Sequence, residues 1–282
     1  MSQPIKLVLS FVAFSFSSLA VAVPVTFSVG GDDTAASIQA TVDSFRAALG
    51  NPNNGNTPGP LEGGRREINW DGGGGVDVTT AAATPFNVFR DTRGAQFTTP
   101  GTGLSQAPPS GGPTNGLVGL FANPTYGTTF STFSPLRLFV PVGSNITDGL
   151  FFLPGSNGAV AATVSGFGAV FTDVDLADTT TIAYFDADGD LLYSASVATG
   201  TVADGSLSFL GVVFDAGERI ARVRITTGNA PLGPNDGSGV DVVAMDDFIY
   251  SEPRSSVPEP SALALLGIAL AGLGFARRRK LD

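Results

Sequence analysis

The chain has 282 residues, 37 of them Gly and 19 Pro, a formal net charge of −10, and neither Cys nor His. Without Cys there is no disulfide framework, thiolate nucleophile or Cys-ligated metal; without His the commonest general base is missing, and a Ser-His-Asp triad cannot be built. Lys occurs only at Lys6 and Lys280, and residues 23–252 carry 23 acidic groups against nine arginines, a net of −14, which repels a phosphate backbone and excludes nucleic acid as a partner, while it suits solubility outside the cell, divalent cations or neutral glycans.

Residues 1–22 read as a signal peptide. Lys6 is the lone early cation, Leu7 to Leu19 is apolar with interspersed serine, and Ala20-Val21-Ala22 is a small-x-small cleavage site for signal peptidase. Cleavage after Ala22 makes Val23 the first mature residue. Val23–Val29 then reads as a strand. Ile38, Val42, Phe45 and Leu49 recur at helical spacing, so a single amphipathic helix is expected over about Thr34–Leu49, with Asp32 or Asp33 as its cap and Gly50 as its stop. Residues 51–64 have no apolar period and read as a loop.

Ile68 and Trp70 alternate with Asn69 in a short strand that enters the Gly72–Gly75 run. That run lacks the Gly-Lys-Ser/Thr ending of a phosphate loop. Trp70, the one tryptophan, has two readings: a platform for stacking on a sugar ring, or core packing. From Pro85 to Pro141 the expected strands are 86–90, 95–99 and 136–142, with an exposed Pro/Gly-rich loop over 100–116. The last third is a run of short apolar segments separated by turn residues, and Val223 and Ile225 alternate with Arg222 and Arg224.

The expected fold is therefore mainly β: an antiparallel β-sandwich of jelly-roll type over 23–252, with 23–115 the looser part and 116–252 the compact part. A linker follows at 253–260.

Acidic clusters offer the only metal chemistry. Asp186, Asp188 and Asp190 fall within five residues and could converge on Ca2+, although Gly189 and Val197 stand where an EF-hand loop would need other residues; an Asp-Gly hairpin explains the same residues. Asp246 and Asp247 point to opposite faces in a regular strand, so the inward one needs a cation, an arginine or backbone N–H groups. Asp241 makes one acidic set with Asp246 and Asp247, and Asp173 and Asp175, which share one face of a strand, could join such a calcium site. Catalysis is not expected: a two-carboxylate glycosidase is the one surviving enzymatic route, and Glu62 and Glu67 lie beside Arg65 and Arg66, which favour the ionised form over the acid such an enzyme needs. Glu218 is the remaining candidate acid in the body.

The C-terminus carries the most specific pattern. Pro258 and Pro260 lack an N–H and hold the chain extended on either side of Glu259. Residues 261–276 are the expected transmembrane helix; its apolar run Ala262–Ala276 would span roughly 22 Å at about 1.5 Å per residue, short of a hydrocarbon core of about 30 Å. Arg277, Arg278, Arg279 and Lys280 are retained on the cytoplasmic side, so residues 277–282 form the inner tail and the acidic body lies outside. A plain stop-transfer anchor is the competing reading.

This order of Pro-Glu-Pro, short apolar helix and basic cluster resembles the PEP-CTERM sorting signal of Gram-negative bacteria. The resemblance implies that Pro258, Glu259 and Pro260 are the sorting motif. It further implies that an exosortase processes the tail after transient anchoring in the inner membrane, and that the protein passes to the cell surface, outer membrane or extracellular matrix. Such tails are also labelled ice-binding-protein C-terminal domains, a name for the tail and not for an activity. The resemblance therefore implies a surface or exopolysaccharide-matrix protein with a structural or adhesive role. The alternatives are a carbohydrate-binding module with structural calcium, whose partner is a polysaccharide, and a carboxylate-based glycoside hydrolase.

Overall fold

In chain order the elements are β1 (Val25–Gly30), α1 (Ala36–Leu49), β2 (Arg65–Ile68), β3 (Ala95–Thr98), β4 (Gly103–Ala107), α2 (Gly116–Phe121), α3 (Tyr126–Thr129), β5 (Leu138–Val142), β6 (Ile146–Phe151), β7 (Ala162–Thr163), β8 (Gly166–Thr172), β9 (Thr181–Phe185), β10 (Leu191–Ser196), β11 (Leu207–Val213), β12 (Arg222–Thr226), β13 (Ala244–Ser251) and β14 (Arg254–Ser255). The structure, a computed structural model, describes residues 24–71, 83–215, 219–234 and 237–255. It is mainly β, and among the described residues all of the pairings between these strands are antiparallel.

Seven strands form one sheet in the order β1-β11-β8-β13-β5-β4, with β2 also paired to β13; five form a second in the order β10-β9-β12-β6-β3. One apolar cluster joins their facing sides, drawing Phe97, Phe151, Tyr184 and Val223 from the smaller sheet and Phe139, Phe167, Leu210 and Phe248 from the larger. The smaller sheet's other side is open. Its strands accordingly alternate, as in β6 and β9, where every second residue is buried. The larger sheet is covered on both sides, so β8 and β13 are buried along their whole length.

Two lids cover that second side. Helix α1 lays Ile38, Val42, Phe45 and Leu49 on Val170, Phe209 and Ile249. The ring of Phe45 sits over Gly168 and Gly211, which face each other on β8 and β11; a Cβ on either would come within 3.0 Å of that ring. Beyond it, α2 and α3 pack Leu117, Phe121 and Tyr126 against Leu138, Val140 and Ala244.

The helix lies on its expected face, but neither Asp32 nor Asp33 caps it. The N-cap is Ala35, and Asp32 instead accepts the Thr34 N–H and hydroxyl at 2.8 and 2.6 Å, one step upstream. Gly50 ends the helix with φ +97°. Residues 86–90 are a turn, not a strand, and only Phe86 bridges to Phe97. The expected loop 100–116 contains β4, a fully buried edge strand paired to β5. Leu104 is buried in the core between the sheets and Ala107 under the α2–α3 lid, tertiary contacts with no local signature in "GLSQA". Residues 23–115 contribute β1, β2 and β4 to one sheet and β3 to the other, so the first third is built into both layers.

Taken alone, β5, β6 and β8 to β13 are eight strands in which the first, eighth, third and sixth make one sheet and the second, seventh, fourth and fifth the other. Their registers define two poles. Val25 pairs with Val213 and Ser251 with Arg65 at one pole; Gly30 pairs with Ser208 and Thr172 with Ala244 at the other. The described chain ends, through β14, at the first.

Candidate functional site

The end of β13 is anchored before the chain leaves the body. Arg66 and Glu252 form a fully buried two-point ion pair, with both contacts at 2.7 Å. The guanidinium also donates to the carbonyls of Gly55, Thr57 and Thr92, and Glu252 accepts from Asn54 and from the Leu61 N–H, so the donors and acceptors of this buried pair are well satisfied. Three residues further on, the described chain stops. The sorting motif Pro258-Glu259-Pro260, the basic residues Arg277 to Lys280, the transmembrane helix expected over 261–276 and the cleavage residues Ala20 and Ala22 all lie outside the described residues. Among the described residues no helix is long and apolar enough to cross a membrane.

Asp246 and Asp247 do not point to opposite faces. The register of β13 against β8 slips between Met245 and Phe248, a bulge that places both carboxyls on the same loop. Ser134 reaches both, at 2.6 Å from Asp247 and 3.3 Å from Asp246, and the Phe133 and Ser134 N–H groups donate to Asp246 at 2.6 and 3.3 Å. Arg46 stands 3.5 Å from Asp247 and 2.8 Å from Glu67. Burial, then the charge of Asp247, pushes Asp246 well above the ordinary carboxylate range, and burial raises Asp247 as well. Asp247 is turned to Arg46. Of the partners the sequence allowed for the buried acid, backbone N–H groups and an arginine stand here, together with a hydroxyl.

Trp70 corrects the stacking expectation. It has no exposed surface: its ring stacks on Phe139 at 3.7 Å between centroids, Phe86, Phe89, Phe97 and Phe248 surround it, and Nε1 donates to the Asp246 carbonyl at 2.8 Å. A sugar cannot reach it.

Asp186 closes the β9–β10 turn, where its carboxylate accepts the N–H groups of Asp188 and Asp190 at 3.0 and 2.9 Å. Asp241 groups instead with Asp173 and Asp175, at the pole opposite β14, and Asp204 joins them. Asp241 accepts the Asp175 N–H and the Thr179 hydroxyl, and Asp173 accepts the Gly205 N–H at 3.2 Å. Burial, then the charges of Asp175, Asp204 and Asp241, pushes Asp173 up to about 8. Among the described residues no three acidic side chains converge closely enough to hold a metal ion. Asp204 was missed because it reaches this pole only through the β10–β11 connection.

The remaining acids are spread out. Glu67 is tied to Arg46 and Arg65, and Glu218 lies outside the described residues. Three surface depressions carry one carboxylate each. Glu62 lines one with Leu61 and Arg254, Glu252 lines one with Arg219 and Arg254, and Asp33 lines a groove of about 450 Å³ with Pro108, Pro109, Ser131 and Pro135. None of the three pairs two carboxylates as glycoside hydrolysis requires.

Comparison with known proteins completes the picture. The family model described as "PEP-CTERM protein-sorting motif" matches residues 256–280, so the chain carries a PEP-CTERM sorting signal directly after the described body. That signal supports exosortase-dependent sorting of an exported protein with transient membrane anchoring. No curated protein and no solved structure matches the chain.

Proposed function

We propose that this protein is a non-catalytic component of the cell surface or exopolysaccharide matrix of a Gram-negative bacterium, with a structural or adhesive role. Signal peptidase releases the chain after Ala22. Residues 261–276 hold it in the inner membrane until an exosortase acts at Pro258-Glu259-Pro260, and the body then passes outward. The observation that carries this reading is the sorting motif at 256–280 immediately behind a body pinned at Glu252. The order of the eight central strands supports a jelly-roll sandwich as the exported body. The dispersal of carboxylates over separate depressions supports a role without catalysis. Replacing Pro258, Glu259 and Pro260 together by Ala tests it. The variant should accumulate in the inner-membrane fraction while the unaltered chain reaches the surface or the medium; an unchanged distribution would refute the sorting role.

A further inference from the structure

We propose that the groove between residues 108–110 and 130–136 binds a neutral polysaccharide strand. The proposal rests on the matrix reading above and gives it a ligand class. The groove lies at the pole opposite β14. Asp33 follows the end of β1, and the Ser131 N–H donates to the Thr172 hydroxyl at the end of β8 at 3.0 Å. The site therefore faces away from the point where the sorting tail leaves the body. Its volume of about 450 Å³ lies within the usual range for small-ligand sites, about 300–1,000 Å³. The groove is open to solvent, so a longer chain can lie along it.

The lining chemistry selects the ligand. Asp33, Ser110, Ser131 and Thr132 contribute one carboxylate and three hydroxyls, and none of these side chains has a hydrogen-bond partner among the described residues. Pro135 and Leu136 are exposed and, with Pro108 and Pro109, give an apolar wall for the C–H faces of sugar rings. Among the described residues no cation lines the groove. A lone carboxylate there accepts hydrogen bonds from sugar hydroxyls and repels a uronate or phosphate. Gly127 lets the Ser110 side chain approach closely; a Cβ at 127 would meet it at 3.2 Å.

The walls are fixed before a ligand arrives. Asp246 holds the N–H groups of Phe133 and Ser134, and Asp71 holds those of Leu136 and Arg137 at 2.6 and 2.9 Å. On the facing side, the Leu117 and Val118 N–H groups hold the carbonyls of Pro108 and Pro109. Such preorganisation lowers the entropy cost of binding. The groove offers no exposed aromatic ring, since Phe130 is buried.

The test is binding of the full chain, purified in detergent, to immobilised glucan, mannan and galactan oligosaccharides and to oligouronates. Retention on at least one neutral glycan and none on oligouronates is expected. Asp33→Ala should weaken retention about tenfold, the effect of removing a charged hydrogen-bond acceptor, and Ser110→Phe should abolish it. Asp188→Ala, the same charge change at the other pole, should leave it unchanged. Melting temperatures within a few degrees of the parent establish that the variants fold. Failure to retain any neutral glycan, preference for oligouronates, or indifference to both groove variants would each overturn the proposal. A chain that fails here yet still loses its tail in cells overturns the ligand alone; one that binds yet is never processed overturns the sorting reading alone.

Discussion

Asp173 shows how a single side chain can set the pH dependence of this fold. Its pKa lies at about 8 in the folded protein, against an ordinary value of 3.8. Between those values the folded form holds a proton that the unfolded form has released, so stability falls as pH rises from about 4 to 8 and levels off above. Asp173→Asn keeps a neutral acceptor for the Gly205 N–H and should flatten that slope, as read from urea midpoints across the range. The Arg66–Glu252 pair makes the opposite kind of contribution. Glu252→Ala leaves a guanidinium buried without its counter-charge and should cost about 3–5 kcal/mol. Asp148→Ala, on the open face where the Arg224 side chain is 47% exposed, should cost at most about 1 kcal/mol. Equal losses at the two positions would contradict this account of burial.

Among the elements, the contact of α1 with the larger sheet depends on two glycines. Gly211→Ala puts a methyl where the Phe45 ring lies and should destabilise by about 1–3 kcal/mol, measured as a lower urea midpoint at unchanged slope. A neutral result would mean that the helix shifts freely on the sheet. The helix itself was legible, because Ile38, Val42, Phe45 and Leu49 are spaced at its period. The alternating strands of the open sheet were legible for the same kind of reason: Val223 and Ile225 face inward while Arg222 and Arg224 face out. What failed was anything decided by contacts distant in sequence. Strand β4 is buried because the inter-sheet core takes Leu104 and the later α2–α3 lid takes Ala107. Trp70 is drawn into a ring of phenylalanines from four other segments. The bulge in β13 overrode the alternation that set Asp246 against Asp247. The groove at Asp33 joins three separated segments, and a sequence read along its length has no signal for it.

At the scale of the whole molecule, the two poles divide the work. One carries the exit of β14, after which the sequence continues into the sorting signal; the other, about 25 Å away along the eight residues of β13, carries the acidic loops of Asp173, Asp204 and Asp241 and the groove. A body held by its tail at the first pole presents the second to its surroundings. The acidic charge keeps such bodies apart in solution and away from anionic polymers. The central claim is that the tail is a processing signal and not a permanent anchor. It is tested most directly by the intact mass of the chain recovered from cells with and without a working exosortase. Where the enzyme works, the account predicts a product that has lost Arg277–Lys280 and ends near Pro260; where it does not, the tail remains. A full C-terminus through Asp282 in both would contradict it.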